Sequence, residues 1–286
     1  MQIKALACEL PSLSGLPLSR FSHAEIAQEA VRRGIAASIS GATVWRWLTR
    51  DAIRPWHYRS WIFPRDPDFE AKAGRVLDLY HGRWAGRPLG SREYVLCADE
   101  KTSIQARIRR HPTTPPAPRH SMRVEHEYER GGAFAYLAAL DVHRAKLFGR
   151  CEPHADIKAF DRLLADIMST PPYRSARRVF LVVDNGSSHR GPTSVARIQS
   201  QWPRVKLVHL PIHASWLNQI EIYFSIVQRK VLTPNDSESL DELRERILKF
   251  QIRYEELAKP FEWRFSREDL SALLHKLLVH DLLKSA

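Results

Sequence analysis

Two stretches that are apolar at every position, Tyr94–Val95–Leu96–Cys97–Ala98 and Val179–Phe180–Leu181–Val182–Val183, constrain this chain more than any other feature. A strand with apolar side chains on both sides must be covered on both faces, as in the sheet of an α/β protein. Each run is followed at once by an aspartate, Asp99 and Asp184. Ligand sites of open α/β sheets gather at the carboxyl ends of their strands, so two neighbouring strands would bring these carboxylates together there. A third strand is expected over Val205–Leu210, followed by a Pro-His loop and an amphipathic helix with Ser215 as its N-cap. Leu217, Ile220, Phe224, Val227 and Val231 recur at steps of three and four, which is one helical face. Glu221 lies at the edge of that stripe, where a carboxylate is costly unless something pairs with it.

Each acid has an ordinary explanation when taken alone. Asp184–Asn185–Gly186 suits a turn, and Glu221 suits a surface pair with Arg229 or Lys230. Together they point elsewhere. Three carboxylates converging beside a hydrophobic sheet repel one another unless a hard cation neutralises them, and Mg²⁺ or Mn²⁺ suits such an all-oxygen site. The chemistry served by such a site is phosphoryl transfer with two ions roughly 3.5–4 Å apart. The formal charge of +12 over 286 residues and a pI of about 9.9 fit a polyanionic partner such as DNA. With 44% hydrophobic and 27% charged residues the chain reads as a globular protein. No apolar run of about 18 residues and no signal pattern occurs, which predicts a cytoplasmic protein without a membrane segment. Cys8, Cys97 and Cys151 are odd in number and far apart, as expected of reduced thiols.

Ahead of the α/β region, residues 1–20 carry little pattern, and 11–20 read as a loop. Ser22 and Glu25 make a capping box for a helix from His23 to Arg33 that Gly34 stops. A second short helix, Ala42–Arg50, turns Val44 and Leu48 inward and Thr43, Arg46 and Arg50 outward, which fits a helix-turn-helix as well as a plain helical hairpin. Residues 51–68 interleave Trp56, Tyr58 and Trp61 with Arg54, Arg59 and Arg65, suiting either an arm along DNA or a packed linker. One helix is expected over Phe69–Trp84, with a domain boundary at 86–90. Residues 105–123, with Arg107, Arg109 and Arg110, read as a basic, proline-broken excursion outside the core. A hairpin of Ala133–Leu140 and Ala145–Cys151 turns at Asp141–Arg144, where Asp141 is an ordinary turn residue. Further helices are expected at Ile157–Met168, Thr193–Gln201, Leu240–Leu257 and Arg267–Leu283. Cys151 with His154, and His209 with His213, have metal-ligand spacing but no complementary cysteine pair. No phosphate-binding loop, dinucleotide glycine pattern or serine nucleophile elbow occurs, so no ATP is called for.

The segments CADEKTSIQAR, FLVVDNGSSHRG and HLPIHASWLNQIEIYFSIVQRKVL resemble the three catalytic blocks of the insertion-sequence-630 family, bacterial DDE transposases related to the mariner superfamily. The resemblance spans about residues 20–280, and the 37 positions from Asp184 to Glu221 are close to that family's short spacing. It implies a ribonuclease-H-like core, with a mixed sheet flanked by helices, behind a small all-α helix-turn-helix domain. Carried over by motif, Asp99, Asp184 and Glu221 are the catalytic, metal-binding triad. Asn185, His189, His213 and Asn218 match accompanying positions that support the triad or touch DNA. The implied activity is metal-dependent cleavage at element ends and strand transfer into target DNA. The implied partners are terminal inverted repeats, target DNA and a second copy in a dimer or larger synaptic assembly, on the bacterial nucleoid. Thr43, Arg46, Arg50, Arg54, Arg59, Arg107, Arg109 and Arg110 are the expected DNA contacts. The expected organisation is a DNA-binding region with its arm over 1–66, a linker helix over 67–90, a catalytic domain over 91–235 and a helical segment over 236–286. Such transposases usually carry two helix-turn-helix units; residues 1–20 leave space for one, which suggests an incomplete or misassigned start. Two other readings stay open: a nuclease of the same fold without strand transfer, and a catalytically silent DNA-binding remnant.

Overall fold

In the computed structural model, residues 1–58, 64–186 and 188–284 are described, with side chains within the last helix described as far as Leu277. The chain divides into two compact units, Met1–Phe63 and Pro64–Ala286.

The first unit is helical. Helix α1 (Gln2–Ala7) precedes α2 (His23–Arg32) and α3 (Gly41–Arg50). The capping box forms as expected, with the Glu25 N–H donating to Ser22 Oγ at 3.2 Å and the Ser22 N–H to Glu25 Oε2 at 2.7 Å. Ser40 caps α3, and Val44 and Leu48 are fully buried beneath it. At Gly41 a Cβ would lie 3.2 Å from the Ala24 backbone, so a side chain there would push α3 off the start of α2. Residues 1–10, which carry little pattern in the sequence, hold a helix. Ile3, Leu6 and Ala7 of α1 pack with Phe21, Ile26 and Ala30 in one core. A six-residue helix is too short to show periodicity or to stand alone, and packing is what forms it. Trp56 also packs on this core and meets His23 edge-on at 5.8 Å. Arg59 and Trp61 lie outside the described residues.

The second unit begins with α4 (Phe69–Tyr80), which ends four residues before the expected Trp84. Gly82 (φ +70°) ends it in the left-handed region, and Ala85 and Gly86, also at positive φ, turn a two-stranded hairpin, β1 (Arg83–Trp84) and β2 (Arg87–Pro88). Residues 67–90, read as a linker, belong to this unit's core through Phe69, Ala73, Val76, Leu77 and Tyr80. The main sheet is built from β3 (Glu93–Ile108), β4 (Glu129–Asp141), β5 (Leu147–Glu152), β6 (Arg178–Val183) and β7 (Val205–His209), in the order β5-β4-β3-β6-β7. The β5–β4–β3 pairs are antiparallel and the β3–β6–β7 pairs parallel. Helices α5 (Ile157–Ser169) and α6 (Gly191–Gln201) cover one face, whereas α4, α7 (Ile220–Lys230) and α8 (Leu240–Leu257) cover the other. The last helix, α9 (Arg267–Lys284), packs on α4 through Leu270 and an Arg267–Asp78 ion pair. This is the mixed α/β sheet flanked by helices that the two apolar runs demand. Val95, Cys97, Phe180 and Val182 face α7, while Tyr94, Leu96, Val179 and Leu181 face α5.

Two local expectations fail. Strand β3 does not stop at Asp99 but runs on to Ile108, paired with β4 alone beyond Cys97. With one neighbouring strand it tolerates alternation, Ile104 and Ala106 buried and Gln105 and Arg107 not, which hides a strand in a polar text. Ser215 is not the cap of α7. Ser215–Leu217 form a separate 3₁₀ turn, and α7 starts at Ile220 without a side-chain cap.

Candidate active site

The parallel register pairs Cys97 with Val182. Two residues further along each strand stand Asp99 and Asp184. Alternate residues of a strand share a face, so both acids follow Cys97 and Val182 onto the face covered by α7. Asp99 Oδ1 accepts the Glu100 N–H at 2.8 Å, and its Oδ2 accepts Asn218 Nδ2 at 3.2 Å. Asp184 Oδ1 accepts the Gly186 N–H at 2.8 Å and His189 Nε2 at 2.7 Å. Glu221 is in the first turn of α7, exposed; the pairing with Arg229 or Lys230 does not occur among the described residues.

The electrostatics tie the three acids together. Burial pushes the Asp99 carboxyl up to about 7; the Glu100 N–H opposes this, and the charges of Asp184, Glu100 and Glu221 add to the rise. Asp184 moves the other way, held below the usual carboxylate range by the His189 hydrogen bond against its own burial. Glu100, on the neighbouring face, is raised by burial and by Asp184. Among the described residues, no three His, Cys, Asp or Glu side chains stand close enough to grip one ion together. The donor set nevertheless suits a hard cation. Its groups are carboxylate oxygens, and burial, with neighbouring negative charge adding to it, already drives one of them toward protonation.

The turn before α7 is held down on the strand that carries Asp99. Buried Asn218 donates to Ala98 O at 3.1 Å as well as to Asp99, and its own Oδ1 has no partner among the described residues. Tyr80 Oη, fully buried against the Cys97 thiol, donates to Leu217 O at 2.5 Å. These contacts pull residues 217–218 inward and explain why the helix starts after them. On the other strand, Asn185 Nδ2 donates to Leu210 O at 2.9 Å and ties the end of β6 to the loop after β7. His189 is buried, with Nε2 on Asp184 and Nδ1 2.9 Å from Ser188 Oγ, a pattern met by the Nε2–H tautomer with the serine hydroxyl donating. His209 Nε2 donates to His189 O at 2.9 Å. His213 is exposed, at φ +60°, in the same loop. Asp66 reaches that loop too. Its buried carboxylate accepts the Ile212 N–H at 3.0 Å and Lys72 Nζ at 2.9 Å.

The expected DNA contacts fall in different settings. Arg46, Arg50 and Arg54 are exposed, while Thr43 is half-buried and accepts Arg46 Nη2 at 3.2 Å. Arg107 lies exposed over the Tyr128 ring at 4.8 Å. Arg109 turns inward to Glu125 O and Asn235 O, and the Arg110 N–H is taken by Glu125. Asp141 accepts Tyr173 Oη and two turn N–H groups, as a turn residue should. Tyr80, Asp66 and Ser188 were not singled out from sequence; nothing in a buried tyrosine or a linker aspartate signals a partner about 140 residues away.

Residues 94–244, just over half the chain, match the sequence model of the DDE superfamily endonuclease family. That span holds Asp99, Asp184 and Glu221. No curated protein matches the sequence. Among solved structures, the fold is shared with the mariner Mos1 paired-end complex with Mg (TM-score 0.56, 11% identity, 96% of this chain and 77% of that one). The Mos1 strand transfer complex gives a TM-score of 0.55 at 12% identity over 96% of this chain and 76% of that one. A pre-cleavage Mos1 transpososome gives 0.54 at 12% identity, covering 96% and 77%. The matched span runs from the first apolar strand into α8, across the sheet that sets the two aspartates side by side, and on it rests the assignment: the chain belongs to the DDE superfamily endonucleases.

Proposed function

We propose that this endonuclease is the transposase of a bacterial insertion sequence of the insertion-sequence-630 type, cutting DNA at the element's ends and joining the freed 3′ ends to target DNA. The observation that carries the reading is the register of β3 on β6, which puts Asp99 and Asp184 on one face with the Glu221 helix packed over it. Asp99, Asp184 and Glu221 are the residues that would hold Mg²⁺ or Mn²⁺, two ions in this reading. Bound there, the metal would activate the attacking water or 3′ hydroxyl and stabilise the leaving oxygen.

The remaining parts of the site serve those carboxylates. Asn218 fixes the rotamer of Asp99, and His189 does so for Asp184 while keeping it ionised. Tyr80 and Asn218 anchor the turn from which Glu221 projects, and Asn185 and Asp66 hold the loop before it. His213, exposed in that loop, would meet DNA. The helical unit, with Arg46, Arg50, Thr43 and Arg54, would bind the terminal repeats, helped by Arg59. Arg107 and Arg110 would join a phosphate-holding surface that Arg109, turned inward on Glu125 O and Asn235 O, would brace. In this reading residues 1–66 bind DNA and 91–235 carry the chemistry. Mos1 structures contain paired transposon ends, which supports a dimer or larger assembly here as well. Among the described residues no helix is long and apolar enough to cross a membrane.

The test is cleavage of a duplex carrying the element's own terminal repeat, with Mg²⁺, with Mn²⁺ and with EDTA, scored for nicked and for joined DNA. End-specific, EDTA-sensitive nicks with joined products are expected. Nicks without joining would leave a nuclease, and binding without either would leave a silent remnant.

A further inference from the structure

Beyond Asp99, β3 enters a cleft of about 440 Å³ whose lining includes Lys101, Gln105, Arg107, Arg130, Gln228 and Asn235. Three of these are cations, and no acidic residue lines the cleft. Arg107 and Arg130 stand directly opposite each other in the β3–β4 ladder. Like charges in that position destabilise a sheet, and here no carboxylate relieves them. Among the described residues neither arginine, nor Lys101, has an acidic partner; Arg107 has only the ring of Tyr128. Between Lys101 and Ile104 the ladder slips, with Ser103 at φ +56°. Such a bulge re-aims the side chains around it. Asn235 braces the strand beyond, accepting the Arg107 N–H and donating to Gln105 O at 2.6 Å.

The cleft's place along the chain says what it binds. Lys101 follows Asp99 by two residues, about 7 Å along an extended strand. Gln228 follows Glu221 by seven residues, two turns and about 10 Å along the same side of α7. The cleft therefore lies further along the strand and the helix that carry Asp99 and Glu221. No aromatic side chain lines it, so it lacks the stacking surface that holds an unpaired base. We infer that Lys101, Arg107 and Arg130 form an anion track for backbone phosphates of the bound DNA, with Lys101 about two nucleotides from the scissile bond and the Arg107–Arg130 pair, about 26 Å along the strand from Asp99, about seven to eight nucleotides from it at about 3.4 Å per step. The inference rests on the DNA-cleaving reading above and adds a register to it. The acids hold the reacting phosphate, and the cations hold the bound DNA at fixed distances from it.

Lys101→Gln and Arg130→Gln test it, since neither removes an ion pair that the fold uses. Each is assayed on the terminal-repeat duplex for KM, for kcat and for the salt dependence of binding. A series of duplexes, each with one neutral methylphosphonate near the mapped cut, is run beside them. Each variant should raise KM roughly tenfold, the scale of a charged hydrogen bond, with kcat little changed. Each should also lower the slope of log binding against log salt by about 1. A methylphosphonate about two nucleotides from the cut should slow the wild type by a similar factor and hardly slow Lys101→Gln further, and one about seven to eight nucleotides away should do the same for Arg130→Gln, because each combination removes one contact twice. If the wild type cleaves and the variants keep its KM, salt slope and methylphosphonate profile, the cleft is not a phosphate site. If the wild type binds the duplex but does not cleave it, the active-site reading fails, and the salt slopes of the variants still decide the cleft.

Discussion

The inner and outer halves of β3 are one strand in two environments. Its inner half pairs with β6 from Glu93 to Cys97 and with β4 from Leu96 onward, and Val95, Leu96 and Cys97 are fully buried. From Asp99 to Ile108 only β4 stands beside it, the ladder slips, and charge of first one sign and then the other goes unbalanced. The inner half carries stability. In the outer half an acid and then cations stand without an opposite charge among the described residues.

The contrast breaks most sharply at Asp184. Asp184→Asn should lower cleavage by ~10³-fold or more, the scale of losing an electrostatic anchor at a transition state, with duplex binding and thermal midpoint unchanged. Retained cleavage in a gel assay would remove Asp184 from the chemistry. Leu96→Ala, in the inner half, should do the reverse. It should cost about 2–5 kcal/mol in a denaturant titration, with activity per folded molecule preserved. Asn218→Ala lies between the two, because it strips Ala98 O and Asp99 of a donor. It should cost about 1–3 kcal/mol and about 10- to 100-fold in cleavage, read by melting and kinetics on one preparation.

Asp66→Ala should cost about 1–3 kcal/mol at neutral pH by releasing the Ile212 N–H and Lys72. Although burial raises the Asp66 carboxyl, Lys72 and two N–H groups outweigh it and leave the value below normal. A depressed carboxylate stabilises above its unfolded value of about 3.9, and that stability is lost as pH falls through the lower folded value. The gap between variant and wild type should therefore narrow below about pH 4, and an acid-unfolding series in which the gap stays constant would refute it. The smallest effect sharpens the outer half. Arg130→Gln, without DNA, should raise stability by about 0.2–1 kcal/mol by relieving Arg107 across the ladder, and a stability loss would show the pair is not strained.

Much of this was legible in the text of the chain. The two apolar runs located the central strands because burial on both faces leaves no polar position. Capping chemistry located α2, and the helix expected over Leu240–Leu257 matches α8 to the residue. The helix face of Leu217, Ile220, Phe224, Val227 and Val231 is buried as read. The elements that were missed depend on distant partners. They are α1, which is too short to show a period; the outer half of β3, paired on one side; and the start of α7, moved from Ser215 to Ile220 by hydrogen bonds to Tyr80 and Ala98.

The sequence by itself determined the class of fold, the family and the candidate acids, since periodicity, caps and motif blocks are local and survive in one dimension. Only the tertiary structure decided which of those groups meet. Register set Asp99 beside Asp184, burial raised the one acid while His189 lowered the other, and the β3–β4 ladder placed Arg107 against Arg130. Pairing register, burial and the field of a neighbouring charge are properties of residues brought together across the chain, and no local pattern encodes them.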